Sequence, residues 1–197
     1  MLSSTTFDAA GDPDHHPESD SAVELQIQEM FSVNGSGPIV AGVLLQGQVG
    51  LADTLKLGPN PAGGFDSVTV VSIHRNGQSA QSVCEGETAS FELSGVAASQ
   101  LRSGQALVSP SMAQAGLTFS AEVKLLSPGP ELMATALQVL VIIGTVRQVA
   151  LLSAGSAIGS AGTTVAELTF MHMPEYVSPR LPLYFKAAQQ VGVGKIL

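Results

Sequence analysis

The residues best equipped for chemistry are few and far apart. Gly192-Val193-Gly194-Lys195 is the nearest string to a phosphate-binding loop, where backbone amides cradle phosphate oxygens and a lysine neutralises them. Ile196 follows where Ser or Thr is required, and so near the end of the chain no helix is expected to receive a phosphate. Cys84 and His74 are the residue types of a thiolate–imidazole pair. The alternative is that Cys84 is a small core residue on a strand. His15, His16, His74 and His172 are too dispersed for a recognisable metal site. No Ser lies in a G-x-S-x-G elbow, and no Rossmann fingerprint or Cys-x-x-Cys pair occurs. No catalytic, nucleotide-binding or metal residue is therefore assigned.

The elements that would position such residues follow from composition. Apolar residues make up 45% of the 197, charged residues only 12%, and Trp is missing, so the core must come from Val, Leu, Ile and Ala. The 21 Gly and 11 Pro are scattered, which favours short strands and turns over long helices. Net charge is −8, and Asp8, Asp12, Asp14, Glu18 and Asp20 place five carboxylates in the first twenty residues, with no Lys or Arg among them. The eight basic residues show no cluster along the sequence, so any RNA contact is expected to be weak and salt-sensitive. A single cysteine excludes an internal disulfide, and no secretory signal is visible, so a cytoplasmic location is expected.

Residues 1–21 are acidic and rich in Ser and Pro, and are expected to be a disordered tail. At Val23 the pattern becomes period two. Val23, Leu25 and Ile27 alternate with Glu24, Gln26 and Gln28, the mark of a strand with one buried face. Turn clusters are expected at 34–38, 46–50 and 58–64, with a short helical turn at Leu101–Gly104. Strands are expected from Ile39, from Asp53 to Leu57, at Val68–Ile73, at Ala89–Leu93 and at Gln105–Val108. After Ser109-Pro110 the clearest alternation runs through Leu117, Phe119, Ala121, Val123 and Leu125. The apolar run Leu132–Leu152 raises a membrane question. Gln138, Arg147, Gln148 and the Gly144-Thr145 step instead predict two buried strands joined by a turn, with a helical turn over Met133–Leu140 as the competing conformation. Strands follow at Ala166–Phe170, Leu183–Lys186 and Val191–Ile196. The expectation is an all-β chain of two successive antiparallel barrels, over 22–111 and 116–197.

Particular strings go further. Phe31-Ser32-Val33-Asn34-Gly35-Ser36-Gly37-Pro38-Ile39-Val40-Ala41-Gly42 resembles the opening of domain 2 in elongation factor Tu and its relatives. Gly47 through Leu55, Val71 through Arg75, Glu85 through Ala89 and Leu101 through Leu107 resemble that family's later landmarks in order. The finer resemblance is to the GTP-binding protein 1 and 2 branch. It rests on Leu57-Gly58-Pro59, Ser72-Ile73-His74-Arg75-Asn76, Gly144 through Ala150, Pro174-Glu175-Tyr176-Val177, and Phe185-Lys186 followed by Gly192-Val193-Gly194. Pro38 replaces a family Thr, Ala52 a Gly, and Ile142 a His; Lys186-Ala187-Ala188 replaces Arg-Glu/Asp-Gly.

The resemblance implies Greek-key barrels of the domain 2 and domain 3 type that serve a GTPase without being its catalytic part. GTP and magnesium are then expected only in an upstream G domain, and this chain is expected neither to bind nor to hydrolyse GTP. The implied partners are that G domain, aminoacyl-tRNA and the ribosome; neither DNA nor a membrane is among them. By the same resemblance Glu29, Phe31 and Arg75 are candidates for the aminoacyl-tRNA acceptor end, against the alternative of Phe31 in the core, Arg75 at a strand end and Glu29 solvated. Arg147 is a candidate RNA contact, or the polar member of an alternating strand. A second function class is a β-barrel interaction module of an RNA-surveillance or other complex.

Overall fold

The computed structural model describes residues 22–32, 37–126, 130–133 and 135–197. The acidic segment 1–21, with His15 and His16, lies outside them, as do Val33 to Ser36. The alternation that opens at Val23 becomes β1 (Glu24–Ser32), followed by β2 (Pro38–Gln46), β3 (Gln48–Gly50), β4 (Thr54–Gly58), β5 (Asp66–Arg75), β6 (Gln78–Ser79), β7 (Ser82–Cys84), β8 (Thr88–Ser94) and β9 (Ala106–Val108). These pair in the order β4-β9-β1-β2-β8-β5, and β5 returns to β4, so the sheet closes. β6 extends β5 as a hairpin, and β3 pairs with β7 as a separate ribbon. Leu25, Ile27, Val40, Leu44, Val70, Phe91 and Leu93 point inward and form one core.

The second set is β10 (Thr118–Leu125), β11 (Leu137–Ile143), β12 (Val146–Ala154), β13 (Thr164–Phe170), β14 (Leu183–Ala187) and β15 (Gln190–Ile196). It closes as β10-β13-β12-β11-β14-β15 around a separate core that includes Val123, Val141, Leu152, Leu168 and Phe185. Closure leaves no long strand edge open, which a chain this apolar requires. From Leu137 onward the apolar run is a hairpin, β11 and β12, turning at Gly144 with φ 56°. No helix among the described residues is long and apolar enough to cross a membrane.

Four local expectations are corrected. Gln48–Gly50 is a strand and not part of a turn, because Val49 is fully buried opposite Val83 on β7. The one-turn helix lies at Ala98–Gln100, ahead of Leu101–Gly104, closed by the Gln100 side chain accepting from the Ala97 amide. Asp53 precedes its strand; its carboxylate accepts the Gly50 amide at 2.7 Å and tightens the turn. Cys84 is on a strand but exposed, so it is not a core residue.

Two departures from the family strings fall where the backbone is left-handed. Ala52 has φ 65° and Ala188 has φ 52°, at positions where the resembling sequences carry Gly. A side chain there costs about 1–2 kcal/mol, against about 0.5–1 kcal/mol of extra unfolded-chain entropy for Gly. Ala52→Gly and Ala188→Gly are each expected to raise stability by about 0.5–1 kcal/mol, read as a higher urea midpoint at unchanged slope.

Candidate nucleic-acid interface

β1 carries a bulge: Ile27 pairs with Gly42 and Glu29 with Ala41, leaving Gln28 unpaired. Beyond it Glu29 and Phe31 point outward, two residues apart, and Phe31 is 46% exposed, so Phe31 is not core. Arg75 does not join them. The register runs Glu29–Ala41–Ser90–His74 across β1, β2, β8 and β5, so Arg75 lies three strands away, about 14 Å by strand spacing. There its Nη1 donates to Glu87. Glu87 also accepts the Cys84 amide at 2.9 Å, and that bond first, then Arg75, holds its carboxyl below the usual value.

The two barrels meet along a seam built from side chains far apart in sequence. Arg102 Nη2 and Nη1 donate to the two Glu175 oxygens at 2.8 and 3.2 Å, while Arg102 Nε donates to the Pro59 carbonyl at 3.1 Å. Gln148, the inward-facing polar residue of β12, donates to Glu175 at 3.1 Å and accepts from the His172 and Met173 amides. Ser103 Oγ donates to the Thr145 carbonyl at 3.2 Å. Glu24 is 1% exposed and meets Tyr176 and Arg180, with Arg180 Nε 3.8 Å from its Oε2. Burial first, then the Glu24 carboxylate, pushes the Tyr176 hydroxyl above its usual value. A shallow cleft of about 370 Å³ beside the connecting segment is lined by Met112, Phe119, Tyr176 and Glu175, its one carboxylate, which Arg102 and Gln148 already occupy. Among the described residues no group of three metal-ligating side chains converges.

The cations show what the linear sequence conceals. Arg75, Arg102 and Arg180 each face a carboxylate, and Lys56 donates to Ser67. The other four, Lys124, Arg147, Lys186 and Lys195, are exposed and have no side-chain partner among the described residues. All four lie on the outer surface of the second barrel, on β10, β12, β14 and β15. One row of the register reads Lys124–Val193–Tyr184–Ile142–Arg147, and Lys186 follows Tyr184 by two residues on β14. The row winds round much of the barrel, with Tyr184 at its centre, 43% exposed. Arg147 is thus an outward member of an alternating strand and also one of the free cations. Segment 118–197 holds five Lys and Arg against four Asp and Glu; segment 22–117 holds three against seven. Alternation could have identified the outward residues of each strand, but only the register shows which rows they share.

No protein-family model matches the chain. Over 176 residues, 88% of its length, it is 35% identical to GTP-binding protein 1 of Xenopus laevis. Over 177 residues it is 30% identical to GTP-binding protein 2 of Mus musculus and of Homo sapiens, again across 88% of its length. The matches span 27% and 29% of those proteins, so the chain corresponds to less than a third of the relatives it resembles. With its two closed barrels and these matches, the chain is a relative of GTP-binding proteins 1 and 2, within the elongation factor Tu type.

Proposed function

We propose that the two barrels are a non-catalytic, RNA-contacting part of a GTP-binding protein, with nucleotide chemistry housed in a G domain of the same protein. The observation that carries this is the placement of every unpartnered cation of the described residues on the outer face of the second barrel. Phosphate oxygens are the ligands such a face suits, and they give position without base identity. Aminoacyl-tRNA and ribosomal RNA are the substrates this proposal names. On the first barrel Glu29 and Phe31 offer an outward wall for an acceptor end. Arg75 would take part only by leaving Glu87.

Filter binding of the chain to aminoacyl-tRNA tests the proposal. Four phosphate contacts at about 0.7–0.9 each predict a slope of log K against log salt of about −3. Arg147→Gln with Lys186→Gln is expected to flatten that slope by about 1.5. Binding that is indifferent to salt, or unchanged by the double substitution, would refute it.

A further inference from the structure

We propose that Tyr184 is a stacking platform for an unpaired base, so that the outer face of the second barrel takes single-stranded RNA in preference to duplex. The inference rests on the RNA role proposed above and adds a ligand class to it. Tyr184 stands between inward-facing Leu183 and Phe185, so its own ring is directed outward by the pleat. Its neighbours in register, Val193 and Ile142, are half-buried aliphatic residues on the two flanking strands.

Two cations stand at short range. Lys186 is two residues along β14, about 7 Å away at the rise of a strand. Lys195 is its diagonal neighbour on β15, at about 7–8 Å. Arg147 and Lys124 close the row two strands to either side. The acid nearest in the register, Glu122, lies opposite Lys195 and not opposite the ring. A flat ring amid cations suits a nucleotide whose base has left its stack, with the phosphates on the lysines. A duplex keeps its base faces to itself and would use the cations alone. Phe31, the other exposed Phe or Tyr ring among the described residues, lacks this setting: Glu29 is its outward neighbour, on a barrel with more carboxylates than cations.

The test compares short oligouridine with a short RNA duplex, at one salt concentration, by fluorescence anisotropy. Tyr184→Ala is expected to weaken oligouridine binding on the order of tenfold while duplex binding is unchanged. Tyr184→Phe keeps the ring face and is expected to keep the affinity. Because the side chain faces outward, both variants are expected to unfold at the parent urea midpoint. Tyr184→Ala that leaves oligouridine affinity within about twofold, or that weakens duplex equally, overturns the inference while leaving a phosphate-binding face intact. If Arg147→Gln with Lys186→Gln also leaves both RNAs unaffected, the RNA role itself fails, and the inference with it.

Discussion

Gly42→Ala is expected to destabilise the first barrel by roughly 3 kcal/mol, near the upper end for overpacking. A Cβ at Gly42 would lie 1.9 Å from the Gln26 carbonyl oxygen, 2.8 Å from its carbonyl carbon and 3.2 Å from the Ile27 Cα. All three atoms are backbone, so no side chain can rotate aside, and the strain must break the β1–β2 ladder beside the bulge. Separate cores predict separate consequences. Chemical denaturation followed by residue-level hydrogen exchange should show protection lost over β1, β2 and β8 and retained in β10 to β15. Gly77→Ala is the control. It has φ +75° with nothing within 4 Å of the added Cβ, so only the left-handed backbone cost of about 1 kcal/mol is expected. Equal losses for the two substitutions would show that close approach at Gly42 is not the cause.

The second large effect concerns the seam. Arg102→Ala removes two donors from Glu175, whose side chain is only 6% exposed, and leaves the carboxylate to Gln148. A buried charge stripped of its partner costs about 3–5 kcal/mol, much of it desolvation no longer compensated. Since Arg102 retains 20% exposure, the lower end of that range is expected, about 3 kcal/mol. Glu175→Leu combined with Arg102→Met is expected to recover most of the loss, because the pair replaced by apolar groups leaves no orphaned charge. A double-mutant cycle in urea measures this coupling directly. Additivity of the two single substitutions would show that the bond between the barrels contributes nothing beyond its separate parts. Arg102 lies in a segment expected to be a helical turn, so neither its reach to Pro59 nor its ion pair could have been anticipated from that expectation.

Much of the architecture was legible because a pleated strand sends successive side chains to opposite faces. β10 shows this directly: Ala121, Val123 and Leu125 are buried, while Glu122 and Lys124 are exposed; Leu117, expected on the same face, precedes the strand and is exposed. The same rule located β11 and β12 inside an apolar run that resembles a membrane segment by composition alone. It failed where elements are too short to show a period. Gln48–Gly50 is three residues beside a glycine turn, and only its partner Ser82–Cys84, more than thirty positions on, makes it a strand. It also failed for polar residues facing inward. Gln148 occupies a core position of β12 because it satisfies the His172 and Met173 amides and Glu175, none of which is near it in the chain.

Taken alone, the sequence determined the all-β class, the succession of two cores and the outward or inward side of most strand residues, since these depend on local alternation. It also placed the loop after Leu57 and carried the strings shared with GTP-binding proteins. Only the tertiary structure decided the neighbours. Lys124 and Arg147 lie tens of residues from Tyr184, yet barrel closure at one register puts all three on a single row around the barrel. Closure likewise moved Arg75 away from Glu29 and Phe31, and brought Arg102 and Glu24 against the second barrel. Alternation repeats every two residues and holds no record of which strand lies beside which; pairing across the whole chain supplies it.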